Sequence, residues 1–281
     1  MRNRALHLQR MMDACKQPAS VLAITSGKGG VGKTNIAANL ALCLAASGKR
    51  VVLFDADMSL GNLDVIMNVH SKYNISHLLD GRRSMEEIIH IGPEGLEIVC
   101  GASGLENLAD LSEFQRQRLI SELCELQNQS DVIVIDTAAG ISKSVVGFCL
   151  AADHVLVVTT PEATAITDAY AMIKVLAGSG YAGRISLVVN MADSTAAGRK
   201  IHQQIAGVAK GFLNTSVDCA GVLVWDERLR RAVRMRKPVV LAYPNSRITA
   251  SIVALAAKLS RGMAVRPDNQ SFLRKVVDWF F

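Results

Sequence analysis

The chain of 281 residues has no run of the roughly 18 to 20 uninterrupted apolar residues that a membrane-spanning helix needs. Any membrane contact is therefore expected to be peripheral. It also has no C-x-x-C pair: Cys15, Cys43, Cys100, Cys124, Cys149 and Cys219 are scattered, with no histidine at metal-ligand spacing. That pattern excludes a zinc ribbon and a disulfide framework, and it reads as small buried apolar residues in a reducing compartment. No internal repeat, no Pro/Gly/Ser linker and no block of like charge divides the chain, so one α/β domain with tails is expected. The first twenty residues carry Arg2, Arg4, Arg10 and Lys16 but no continuous apolar segment, so they are not expected to be a secretory leader. A cytoplasmic protein is the expectation.

What is present begins with charge. The formal net charge of +6 favours phosphate surfaces, whether nucleic acid or anionic lipid, and does not choose between them. Continuous apolar runs at 21–25, 51–54, 96–100, 132–135, 155–159, 185–189 and 221–224 are what strands buried on both faces look like. Helical patterns lie between them. Ile36, Leu40 and Leu44 form one stripe ending at Gly48, and Ile166, Tyr170, Ile173 and Ala177 form another ending at Gly178. The fold class predicted is α/β, a mainly parallel doubly wound sheet with helices on both faces.

The strongest chemical signal is Gly27-Lys28-Gly29-Gly30-Val31-Gly32-Lys33-Thr34, between a predicted strand and a predicted helix. Glycines let successive N–H groups curl around a phosphate, and the helix N-terminus adds the positive end of its dipole. Lys33 is expected to neutralise the β and γ phosphates, with the Thr34 hydroxyl as a Mg²⁺ ligand. ATP/ADP with Mg²⁺ is the predicted cofactor set. Asp55 and Asp57 sit at the end of one predicted strand and Asp136 at the end of another, where open α/β sheets hold their ligands. Carboxylates there can hold a metal's water shell or orient the attacking water; Asp55 and Asp136 can alternatively be turn or capping residues.

With Lys28 in the loop, this pattern resembles the deviant Walker A family of MinD and ParA. The resemblance implies that Lys28 crosses a dimer interface to the partner's nucleotide; a merely solvent-facing lysine is the alternative. It further implies that Asp57 opens a first switch over residues 57–64 and positions the hydrolytic water. Asp136-Thr137-Ala138-Ala139-Gly140 matches the second switch, and Asn190 matches an adenine-contacting position that could instead be a helix cap. Catalytic roles thus fall to Lys28, Lys33, Asp57 and Asp136, and metal binding to Thr34, Asp57 and Asp136. Gly221-Val222-Leu223-Val224-Trp225-Asp226 resembles the family's G-V-I-P-x-D, with Val224 in place of proline.

One branch fits best. The stretch from Ala163 to Lys174, A-T-A-I-T-D-A-Y-A-M-I-K, is similar to that of the FlhG (FleN, YlxH) flagellar number regulators, as are Asp136 to Ile141, Gly101 to Gly104 and Tyr243-Pro244-Asn245-Ser246. The branch implies an ATP-dependent homodimer that regulates flagellar number or placement. Its partners would be an FlhF-like GTPase, a C-ring component or a flagellar transcriptional activator. Division-site MinD and a ParA-like DNA-partition ATPase are the alternatives, the latter using Arg228, Arg230, Arg231, Arg234, Arg236 and Lys237 as a phosphate patch. DNA is the less favoured partner because of the chain's last residues. On a helical wheel Phe272, Leu273, Val276, Val277, Trp279, Phe280 and Phe281 fill one face, opposite Arg274, Lys275 and Asp278. Such a helix suits reversible binding to an anionic membrane surface, or docking on its own domain. The expected division is a flexible segment at 1–20, an ATPase domain at 21–262, and a linker with the amphipathic helix at 263–281.

Overall fold

The computed structural model describes residues 19–57, 63–69, 72–101 and 112–262. The expected N-terminal segment, most of the 57–64 switch, residues 102–104 and the C-terminal amphipathic helix lie outside the described residues.

Among the described residues, eight strands form one sheet in the order β3-β4-β2-β5-β1-β6-β7-β8. They are β1 (Ser20–Ser26), β2 (Val51–Ala56), β3 (Ile89–Ile91), β4 (Glu97–Val99), β5 (Val132–Ala139), β6 (His154–Thr159), β7 (Arg184–Ala192) and β8 (Asp218–Val224). Neighbours run parallel except β3 and β4. All seven apolar runs are therefore strands, in the mainly parallel sheet that was predicted. The short antiparallel β3 at the edge has only three residues, interrupted by His90, and left no run to read.

Central strands are buried on both faces because helices cover both. Val21 and Ala23 of β1 pack with α5 (Glu113–Gln129), α6 (Lys143–Ala151), α7 (Ala163–Gly178) and α8 (Thr195–Leu213). Leu22 and Ile24 face the other way, into a layer built by α1 (Lys33–Ala46) and α11 (Arg247–Gly262). The alternation of two apolar sets along one strand defines a doubly wound sheet.

Two helix faces differ from expectation. α1 is buried on nearly every side, Ala38, Asn39 and Leu42 as well as the Ile36–Leu40–Leu44 stripe, because it lies between the sheet and α11. Its buried Asn39 is satisfied, donating to the Asn35 carbonyl at 2.7 Å and accepting from Val240 N–H at 3.0 Å. On α7 the buried face is Ala165, Ala169, Met172, Ile173 and Leu176, so only Ile173 of the expected stripe is at its centre. Small alanines let the helix come closest to the sheet. The cysteines divide as well: Cys100 and Cys149 are buried, while Cys43 and Cys219 are half-buried.

Candidate nucleotide-binding site

β1 leaves the sheet at Ser26 and the chain turns directly into the glycine-rich loop, reaching α1 at Lys33. Gly27 has no room for a side chain: a Cβ there would overlap the backbone carbonyl of Asp168 on α7. Since backbone cannot swing aside, Gly27→Ala should destabilise the fold by about 1–3 kcal/mol. Calorimetry should show melting lower by ~2 to 4 °C per kcal/mol. At the other end, Gly32 has φ +92°, and a Cβ there would come 2.5 Å from Asn190 Nδ2. Among the described residues no side chain caps α1, so the N–H groups of its first turn remain available to an anion.

Lys33 is 8% exposed. Burial pulls its ammonium below the ordinary lysine range, and the carboxylates of Asp136 and Asp57 oppose that pull. Asp136 on β5 lies in register with Asp55 on β2 and Ile24 on β1, so two carboxylates stand side by side on neighbouring strands. Both are buried. Burial first, and then the charge of Asp136, pushes Asp55 up to about 7. Burial likewise pushes Asp136 up to about 6, against the opposing pulls of a Thr34 hydrogen bond and the Lys33 charge. The Asp57 N–H donates to Asp55 Oδ1 at 3.0 Å.

One oxygen of Asp136, Oδ1, is buried without a hydrogen-bond partner among the described residues. A buried carboxylate oxygen lacking a donor, next to a threonine hydroxyl and within reach of the Asp57 field, is a hard-oxygen donor set that fits Mg²⁺. Neither Asp55 nor Asp136 is a capping residue, since both lie within strands.

The remaining predicted residues fall around this centre. Lys28 Nζ donates to Glu162 Oε2 at 2.5 Å and to Thr164 Oγ1 at 2.9 Å, both at the start of α7. Asn190 lies inside β7 and is not a helix cap; Ser194 caps α8. It is buried, and its Nδ2 donates to the Val31 carbonyl at 2.8 Å, which ties the phosphate loop to β7. The Gly140 N–H donates to the Ser26 carbonyl at 2.9 Å, joining the chain just past β5 to the end of β1. Glu162 and Thr164 as partners of Lys28 were not anticipated, because a contact spanning more than 130 residues leaves no local signature.

A glycine loop between strand and helix, a buried lysine, and an Asp–Thr pair on the next strand define a P-loop nucleoside triphosphatase. A model of the ParA family, described as NUBPL iron-transfer P-loop NTPase, matches residues 17–260. The chain is 41% identical over 242 residues to the antiactivator FleN of Pseudomonas aeruginosa, covering 86% of each protein. It is 36% identical to the flagellum site-determining protein YlxH of Helicobacter pylori, covering 99% of each. Among solved structures, MinD in the MinC:MinD cell division complex of Aquifex aeolicus superimposes with a TM-score of 0.70 at 28% identity, covering 86% of this chain and 96% of that one. The chain belongs to the ParA/MinD family, in the branch of FleN and YlxH, and is a MinD-like ATPase that uses ATP and Mg²⁺.

Proposed function

We propose that this ATPase is a switch: ATP closes a dimer through Lys28, the dimer binds membrane through the last residues, and hydrolysis ends the state. Flagellar number or placement is the process it regulates. In this division of labour residues 21–262 form the ATPase domain, 1–20 a separate segment and 263–281 the linker and anchor.

The observation that carries the proposal is the position of Lys28. It stands at the mouth of the phosphate loop, yet its own chain holds it away through an ion pair whose side chains are 38% and 66% exposed. A solvated pair of this kind is worth about 0–1 kcal/mol, so transferring Lys28 to a second chain's triphosphate costs little. Lys33 and the first turn of α1 would hold the phosphates, and Thr34 and Asp136 the Mg²⁺, which supplies charge neutralisation to the leaving group. Asp57 would orient water, and Asn190 keeps the loop in shape beside the base.

A resting place for the tail is part of this proposal. An apolar cavity of about 720 Å³, walled by Leu42, Val240, Leu241, Val253 and Ala256, opens beside Arg261, immediately before residues 263–281. Docked there with ADP, the apolar face of Phe272 to Phe281 would be withheld; released on the dimer, two tails act together. After one inserts, the second works at millimolar effective concentration, raising avidity by ~10²-fold. Arg274 and Lys275 add ~1 kcal/mol each on anionic lipid.

Co-sedimentation with anionic liposomes tests this. ATP should drive Asp57→Ala, blocked in hydrolysis, into the pellet as a dimer, while ADP, Lys28→Ala or deletion of residues 270–281 should leave protein in the supernatant. Equal pelleting by the deletion mutant would remove the tail as anchor. The DNA alternative has its own observation, since Arg228, Arg230, Arg231, Arg234, Arg236 and Lys237 on and after α9 (Glu227–Arg234) are all exposed. Retention on duplex DNA at moderate salt, lost on replacing those six, would favour it instead.

A further inference from the structure

Charge is unevenly divided along the domain. Residues 19–225 carry 15 lysines and arginines against 20 aspartates and glutamates, whereas residues 226–262 carry nine against two. All the net positive charge of the domain therefore lies after β8, on α9, α10 (Val239–Ala242) and α11. The nine cations are exposed, and among the described residues only Arg228 and Arg230 of the nine reach a carboxylate, each at 3.8 Å.

The three helices pack as one unit. Ala232, Val239, Ile248 and Ile252 share a buried cluster, and Thr249 Oγ1 at the start of α11 donates to the Tyr243 carbonyl at 2.8 Å. Their outer surface interleaves cations with apolar side chains: Met235 is 57% exposed and Val253 is 50% exposed. On α11, Ala250, Ala254 and Ala257 face solvent between Arg247 and Lys258, with no carboxylate on that helix.

One of these cations is held at a cost. The Lys237 N–H donates to the Ala232 carbonyl at 3.1 Å and closes the end of α9 through Arg236, whose φ is +50°. Glycine is the usual residue in that left-handed position, because a side chain strains it. The turn alone would favour glycine, so the charge accounts for the arginine. Phosphate contacts need only the cations, whereas a lipid interface also takes up side chains such as Met235 and Val253 at the headgroup boundary. Residues 263–281 follow directly on this unit.

We propose that the outer face of α9–α11 is a contact surface for anionic lipid headgroups, which selects negatively charged membrane while the tail supplies the apolar anchor. The proposal rests on the membrane reading above and names the lipid chemistry and the residues that read it.

The test uses the full-length chain with Mg²⁺ and a non-hydrolysable ATP analogue, co-sedimented with two kinds of vesicle. One is phosphatidylcholine alone, and the other also contains phosphatidylglycerol. The unaltered chain should prefer the second by tenfold or more, and the preference should fade as salt rises. Joint replacement of Arg231, Arg234, Arg236 and Lys237 by glutamine should remove the preference and leave binding to phosphatidylcholine unchanged. Arg236→Gly should bind phosphatidylglycerol vesicles about fivefold more weakly, as loss of one cation at a charged surface predicts. It should nevertheless melt at a higher temperature, a gain that a residue of merely structural value would not give. A preference that survives the fourfold replacement would overturn the proposal. So would equal loss on both vesicles, which marks a disturbed fold, or tighter binding of the unaltered chain to duplex DNA at matched phosphate and salt. An unaltered chain that pellets with neither vesicle would overturn the membrane reading itself.

Discussion

A Lys33→Ala chain is expected to bind no ATP at concentrations that saturate the unaltered protein. Lys33 lies buried in the field of Asp136 and Asp57, at the start of α1. Without it, an incoming triphosphate meets buried carboxylates with no cation between them. Breaking a buried charge pair costs about 3–5 kcal/mol, or a factor of roughly a hundred to several thousand in Kd. Asp57→Ala is the contrasting substitution: it removes a half-buried carboxylate at the end of β2, so binding should persist while hydrolysis is lost. Calorimetry and phosphate release separate the two. Turnover by Asp57→Ala at the unaltered rate would remove Asp57 from the water-positioning role.

The second large effect is on stability against pH. Asp55 and Asp136 titrate near 7 and 6 in the fold, whereas an unfolded chain gives them ordinary values near 4. Between those values the folded protein holds more protons than the unfolded one, so stability falls as pH rises. The contribution is fully present below about pH 4 and is lost as pH climbs through about 6 to 7. Burial is the main cause at both positions, and the facing groups that tune it are Lys33, Thr34, Asp57 and Asp64. Since the carboxylates are neighbours in register, they release protons as a pair. Denaturant titrations of nucleotide-free protein at about pH 5 and about pH 8 should show the acid sample to be the more stable. Mg²⁺ with ATP should flatten the difference, and Asp136→Asn should reduce it. A flat profile without nucleotide would mean that water reaches these carboxylates.

Much of the fold was legible because the central strands are covered on both sides and each needs an unbroken apolar run. The phosphate loop was legible for a related reason: the geometry of Gly27 to Thr34 is local, so its chemistry is written in eight consecutive residues. What the sequence concealed is relational. The hold of Glu162 on Lys28 and of Asn190 on Val31, and the juxtaposition of Asp136 with Asp55, depend on which strands and helices become neighbours, and periodicity carries no information about that. The buried face of α7 was misplaced for another reason. Hydrophobic patterning gives weight to bulky Ile166 and Tyr170, while close approach to the sheet selects Ala165 and Ala169.

The position of β1 in the sheet order also bears on how the protein is made. Ser20 pairs with Val132 and Leu22 with His154, so the strand that carries the phosphate loop finds its neighbours more than a hundred residues later. Pairings that distant are slow to form, because loop-closure entropy must be met before any contact compensates it. During synthesis at about 5–20 residues per second, β1 leaves the ribosome many seconds before β5 and β6 exist to flank it. The loop can therefore take its phosphate-binding shape only after more than half the chain has emerged. A nascent chain that retains ATP is one whose central sheet has already closed.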